Sequence, residues 1–251
     1  MQPIPILNIS IDPYRRQQLL GELKEGMVFT PNVDHLIKLQ KDRIFYDAYQ
    51  QAAYRLCDSR IILQLSRLTA DPIPEQLAGS DIFPAFCQYH ASNPEIRIFL
   101  LGGTQAGVGL AAQKLNQGAT YSQVVGHYAP PFGFESDVEE TQVILSQIQQ
   151  SGANVLAVGV GAPKQEIWIA THRAALEALG VKLFFAIGKT IDFLAGETQR
   201  APRWIQQSNL EWLYRFFQEP RRLFRRYFIE GPPFFLLFLR HMRGTYQNPW
   251  S

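Results

Sequence analysis

The chain has 251 residues, 46% of them hydrophobic, which is enough for one large domain or a domain with an appendage and excludes a disordered or fibrous protein. Cys57 and Cys87 have no CxxC or metal-ligand spacing, and the start MQPIPILNIS lacks the basic and apolar regions of a signal peptide, so a reducing cytoplasm is the expected compartment. The net charge of +2 conceals a division: Arg200 to Arg243 holds nine arginines against three glutamates, leaving 15 basic against 19 acidic residues elsewhere, so the positive charge is local to the tail.

In chain order, IPILNISI and MVFT read as strands, and PNVDHLIKLQKDRIFYDAYQQAAYRL as mostly helical, with Val33, Leu36, Ile37 and Gln40 at turn spacing. A short strand RLC then delivers Asp58 to a strand end. RIFLL is a buried strand followed by Gly102-Gly103 and a helix to about Leu115, and SQVVG precedes a helix from about Asp137 to Gln150. NVLAVGV and VKLFFAIG are the next strands. Between them, APKQEIWIATHRAALEALG forms a helix with Ile167, Ala170, Ala174 and Leu179 on one face and Gly180 at its end. Strands alternating with helices of this size form right-handed crossover units. The expected fold class is therefore α/β: a Rossmann-like open, mostly parallel sheet with helices on both faces over residues 1–197, then a helical, arginine- and aromatic-rich appendage over 198–251.

Ligands of such sheets sit outside the carboxyl ends of the strands, which selects five clusters. Thr30-Pro31-Asn32 supplies either N-caps or two contacts to a sugar or phosphate. Asp58 is either a general base or the cap of a helix beginning at Ser59. Gly102-Gly103, in FLLGG, is either a phosphate turn or a tight strand-to-helix turn, and it lacks the GxGxxG spacing of a dinucleotide site. In GVGAPKQE two glycines and a proline let the backbone approach a ligand while Lys164, Gln165 and Glu166 open the next helix; the alternative is a capped turn with an exposed polar first turn. Gly188-Lys189-Thr190-Ile191-Asp192 is the fifth.

His35, His90, His127, His172 and His241 are scattered, with no metal-ligand spacing, GxSxG or GxxxxGK[ST] in the chain. No metal and no cofactor is expected. A site that binds a diphosphate without a metal meets its charge with other cations, arginine first among them.

TPNVDHL, CDSRII, LAGSD, FLLGG, GVGAPKQEIW, IDFLAGETQRAPRW and LEWLYRFFQEPRRLFRRY stand in the order found in the WecG/TagA/CpsF family, glycosyltransferase family 26, which the chain resembles from about residue 5 to 228. The resemblance implies a Rossmann-like core with a C-terminal appendage. It also implies transfer of N-acetylmannosamine or its uronic acid from a UDP-sugar to a polyprenyl-diphosphate-linked amino sugar, in surface polysaccharide synthesis. By the same resemblance Thr30 and Asn32 lie in the sugar-nucleotide pocket, Asp58 is the catalytic base and Gln165 places substrate. Arg215, Arg222 and Arg225, or near neighbours, approach the diphosphate. Gly103, Gly161, Lys164 and Asp192 complete the substrate-binding candidates from the strand ends. Two positions depart from the family: Ser59 replaces the usual glycine after the aspartate, and Lys189 replaces a small or apolar residue. Lys189 either favours an acidic donor or pairs with Asp192.

The expected reaction is a metal-independent, inverting displacement. Two other functions compete with it: an NAD(P)-dependent oxidoreductase built on FLLGG, and an arginine-rich nucleic-acid-binding protein. The acidic body and the apolar end of the tail argue against a nucleic-acid partner. A third reading has the tail cover a face of the core or an interface between copies of the chain, with Leu210, Leu213, Tyr214 and Phe217 packing on protein. In the reading adopted, EPRRLFRRY supplies cations for the diphosphate and for anionic lipid. PPFFLLFLRHMR, too short to span a bilayer, lies in the interface on the inner face of the cytoplasmic membrane, with Arg240 and Arg243 reaching phosphates.

Overall fold

Strands that are apolar on both faces need a layer of helices on each side. The computed structural model describes residues 2–198, 202, 205, 211–218, 220 and 224–251, with side chains for all of these except 211, 212, 215, 218, 226 and 227. The first half runs β1 (Ile4–Ile6), β2 (Ile9–Ile11), α1 (Arg16–Glu22), β3 (Gly26–Phe29), α2 (Val33–Lys38), α3 (Arg43–Gln50), β4 (Tyr54–Arg55), α4 (Arg60–Ser66) and α5 (Gly79–Tyr89). The second runs β5 (Ile98–Gly102), α6 (Gln105–Gln117), β6 (Val124–Tyr128), α7 (Val138–Ser151), β7 (Val155–Gly159), α8 (Lys164–Ala178), β8 (Leu183–Ala186) and α9 (Thr190–Ala195). It closes with α10 (Glu211–Gln218), a π-helical turn Arg225–Glu230 and α11 (Pro233–Met242).

Six strands form one parallel sheet in the order β4-β3-β8-β7-β5-β6, as the strand-helix alternation predicts. Alternate residues of each central strand enter different cores. Phe99, Leu101, Leu156, Val158, Phe184 and Ala186 meet Leu36, Phe45 and Tyr49 of α2 and α3, Ile144 and Ile148 of α7, and Trp168 and Ile169 of α8. Leu100, Ala157, Leu183 and Phe185 meet Leu19 of α1, Phe83 and Phe86 of α5, Val108 and Ala111 of α6, and Ile191 of α9. The result is a helix–sheet–helix sandwich.

Four local expectations change. IPILNISI is not one strand but an antiparallel hairpin outside the main sheet, turning at Leu7 (φ 56°), with the Asn8 side chain bonded to Leu39 O at 2.8 Å. The long helical stretch breaks before Arg43, because the Asp42 side chain accepts from Phe45 N at 3.0 Å and caps a second helix. The strand expected over RLC starts one residue earlier and stops at Arg55; Leu56 N still bonds Phe29 O at 2.9 Å, so the chain stays beside β3. The buried face of α8 carries Gln165, Trp168, Ile169 and Leu176, while Ile167, Ala170 and Leu179 are half-buried and Ala174 is exposed. Gly180 (φ 98°) does end that helix.

The tail divides by face. Phe234 and Phe238 of α11 are buried in the same core as α2 and α8, whereas Phe235, Leu236 and Leu239 are exposed. Beyond α11 the chain folds back on the N-terminal half: Tyr246 OH donates to Gln40 Oε1 at 2.6 Å and Trp250 Nε1 to Leu39 O at 2.7 Å. In α10, Leu213 and Tyr214 are half-buried but Phe217 is exposed, so it does not pack on protein as its spacing suggested; Leu210 lies outside the described residues. Because Phe234 is fully buried, Phe234→Ala is expected to cost about 3–5 kcal/mol in denaturant unfolding, and Phe235→Ala under about 1 kcal/mol.

Candidate functional site

β3 ends at Phe29, and Thr30-Pro31-Asn32 carry the chain over the sheet edge into α2. Asn32 is extended, and its Oδ1 accepts from His35 N at 3.1 Å, so it is the cap of α2. Its Nδ2 points the other way and reaches Asp58 Oδ2 at 3.4 Å, a long contact that orients the carboxylate. The two readings of Asn32, cap and site residue, are thus compatible. Asp58 does not cap the next helix; Ser59 does, its Oγ accepting from Ile62 N at 3.4 Å. Asp58 is instead held through its backbone, its N–H on Pro31 O at 3.1 Å and its carbonyl on Gln76 Nε2 at 2.6 Å.

These residues line a cleft of about 400 Å³ at the carboxyl ends of β3, β4, β7 and β8. Its volume falls in the range of small-molecule and cofactor sites. Opposite Asp58 stand Gly161, Ala162 and Gln165 from the β7–α8 turn, and Gly188, Lys189 and Thr190 from the β8–α9 turn. Gly79 and Ser80, the first residues of α5, also line it. A Cβ on Gly79 would sit 3.2 Å from Thr30 Oγ1, so glycine allows the helix start this close to β3. The cap of α5, Ala78, has no side-chain oxygen to offer, and the helix presents its positive end to the cleft.

Gln165 joins the two opposing turns. Its side chain is buried, with Oε1 accepting from Gly161 N at 3.1 Å and from Gly188 N at 3.0 Å, and Nε2 donating to Glu166 Oε1 at 2.8 Å. The first turn of α8 is therefore not an exposed polar turn. Glu166 is buried behind the cleft, and burial pushes its carboxyl up to about 7, against the hydrogen bond from Gln165 and the charge of Lys38. Beneath the cleft, His35 Nδ1 and Tyr49 OH are 2.7 Å apart. Burial, then the carboxylates of Glu166, Asp58 and Asp34, push the Tyr49 hydroxyl well above its usual range and keep it a neutral phenol.

The rim is charged. Lys38 pairs with Asp34 at 2.9 Å, and both line the cleft with Lys189. Glu230, from the π-helical turn of the tail, reaches the cleft and binds Arg225 Nε at 2.8 Å. Among the described residues no group of three or more His, Cys, Asp and Glu is arranged to hold a metal ion, and no helix is long and apolar enough to cross a membrane.

Thr30, Asn32, Asp58, Gly161 and Gln165 thus converge, whereas Gly103, Lys164, Asp192 and Arg225 do not line the cleft. Gly103 is filled in by α9: a Cβ there would lie 2.8 Å from Ile191 Cγ2, so this glycine serves the strand-to-helix turn. Asp192 sits by Gly103 and takes the N–H groups of Gly196 and Glu197 on its backbone carbonyl. Lys164 pairs with Glu135 and lies 4.4 Å from the Phe132 ring centroid. Arg225 is bound to a cleft residue without lining the cleft itself. The side chain of Arg215, and all of Arg222, lie outside the described residues.

Asp34, His35, Lys38, Ser80, Phe193 and Glu230 line the cleft but were not among the candidates. Asp34 and Lys38 had a readable signal, an i,i+4 ion pair in a one-turn-and-a-half helix starting at the strand end. Nothing local marks Glu230, which arrives from the far end of the chain.

The folded-state pKa of Glu166, about 7, exceeds its ordinary 4.5, so folding takes up a proton between these values. Its contribution to stability is complete below about 4.5 and lost as pH rises through about 7. Glu166→Gln is expected to remove that component. The unfolding free energy of wild type minus variant should fall from pH 5 to pH 8 in urea titrations; a flat difference contradicts the assignment.

One family comparison bears on this cleft: the description "Glycosyl transferase WecG/TagA/CpsF family" matches residues 4–248. That range takes in the parallel sheet, all four strand ends that build the cleft, and the tail whose Glu230 enters it. The chain belongs to the glycosyl transferase WecG/TagA/CpsF family.

Proposed function

We propose that the protein is a metal-independent, inverting glycosyltransferase that moves an N-acetylmannosamine-type sugar from a UDP-sugar to a polyprenyl-diphosphate-linked sugar during surface polysaccharide synthesis. The observation that carries this reading is the placement of Asp58. Its carboxylate lines the cleft and is oriented by Asn32, while its backbone is held at both N–H and C=O. In the transfer, the acceptor hydroxyl gives its proton to Asp58 as its oxygen attacks the anomeric carbon; the bond from that carbon to the diphosphate breaks and UDP leaves with the electron pair. Lys38, Lys189 and the positive end of α5 face the same space and offset the charge of the leaving group. Arg225, through its partner Glu230, adds a cation at the rim. The oxidoreductase reading loses support where Ile191 occupies the space beside Gly103.

The tail supports a place at a membrane surface. On α11, Phe235, Leu236 and Leu239 are 52%, 53% and 44% exposed while Phe234 and Phe238 hold the opposite face to the core. Phe228 and Ile229 of the π-helical turn add to the exposed apolar area, with Arg240 and Arg243 near the end of α11. An amphipathic helix of this kind lies in the interface plane with its cations at the lipid phosphates.

Two measurements check these readings. Asp58→Asn keeps the shape of the side chain and removes the base, so turnover of a UDP-N-acetylmannosamine donor with a polyprenyl-diphosphate-linked acceptor should fall about 10²–10⁴-fold. UDP affinity in a calorimetric titration should change little; retained turnover rules Asp58 out as the base. For the membrane, Leu236→Ser with Leu239→Ser should weaken co-sedimentation with phosphatidylglycerol vesicles about tenfold or more. Thermal stability should hold, since neither residue is in the core.

A further inference from the structure

The two ends of a primary amide have nearly the same shape, so in a buried site the neighbours decide which end faces which. At Gln165 two backbone N–H groups, from Gly161 and Gly188, face Oε1, and only an acceptor can stand there without leaving donors opposed. The NH₂ end must then find an acceptor in the core, and Glu166 Oε1 supplies it at 2.8 Å. Glu166 does so at a cost. It is 1% exposed, and among the described residues its Oε2 has no hydrogen-bond partner. An apolar side chain of similar size would avoid that cost and pack as well. Burial holds the carboxyl near 7, and in either protonation state one oxygen remains an acceptor for Gln165. Glu166 itself does not line the cleft.

We propose that Glu166 is a positioning residue: by accepting from Gln165 Nε2 it fixes the orientation of that amide, so that Oε1 ties the Gly161 and Gly188 turns together as the wall of the cleft opposite Asp58. Its effect on any ligand passes through Gln165. The inference concerns the ligand-free protein and extends the donor-site reading only in its final arm.

The test is amide hydrogen exchange of the full chain without ligand, resolved at Gly161 and Gly188. Glu166→Leu removes the acceptor and should raise exchange at both glycines about tenfold or more, with β5 and β7 amides unchanged. Glu166→Gln retains an oxygen for Gln165 and should keep both within about threefold of wild type. In a Gln165→Leu background, Glu166→Leu should add nothing at these two positions. Unchanged protection in Glu166→Leu, or an equal further increase in the Gln165→Leu background, overturns the proposal. If the leucine variant does not fold, Glu166→Asp keeps the carboxyl but withdraws it by one methylene: faster exchange at both glycines supports the proposal, and wild-type exchange overturns it. UDP titration of wild type is a separate arm. Absence of binding there overturns the UDP-sugar reading and leaves the exchange result standing, whereas weaker UDP binding in Glu166→Leu supports both.

Discussion

A parallel sheet points every strand's carboxyl end at the same edge, and the remainder of this molecule is arranged around that constraint. Because both faces must be covered, each strand has to exit at that edge before its crossover begins. Four exits, after β3, β4, β7 and β8, therefore meet over one space. Side-chain hydrogen bonds link these exits in pairs. Asn32 spans the first pair of exits by capping α2 and touching Asp58, and Gln165 spans the second pair by taking an N–H from each turn.

The charges around the cleft are mostly neutralised within the protein. Lys38 is matched by Asp34, and Arg225 by Glu230. The Arg225–Glu230 pair is exposed and such pairs are weak, because water screens them and ordering long side chains costs entropy; the Lys38–Asp34 pair is part-buried. A diphosphate, with more charge and fork-shaped acceptors, competes well for such cations. The carboxylates of the rim can thus hold cations in place before a ligand arrives without holding them tightly. Deeper groups behave differently: Glu166 and Tyr49 are out of water and strongly drawn to their neutral forms.

The tail connects this cleft to a surface. Its helix α11 is anchored by Phe234 and Phe238 in the core, and the last residues lock against α2 and α3 through Tyr246 and Trp250. The same helix leaves Phe235, Leu236 and Leu239 outward, and the preceding turn sends Glu230 into the cleft. A single short segment thus has one face in the core, one face outward and one residue in the cleft. Core anchoring gives the outward face a fixed direction relative to the cleft, which a flexible extension would lack.

The amino-acid sequence by itself determined most of the elements of the main sheet and the polar groups at their ends. Alternation of apolar runs with amphipathic stretches, glycines after strands, and Thr30, Asn32, Asp58 and Gln165 beside them are local patterns, governed by backbone sterics and by burial period. Local pattern could not tell that Gln165 and Glu166 turn inward, because a polar first turn of a helix is ordinarily solvated. Nor could it tell that Ile191 would fill the space at Gly103, that Ser59 would take the capping role from Asp58, or that Phe234 and Glu230 would return to the first half of the chain. These depend on which surfaces meet once the crossovers are made, and residues more than 200 positions apart meet, as Tyr246 and Gln40 do. Local chemistry named the groups; burial by distant elements decided which of them face the cleft.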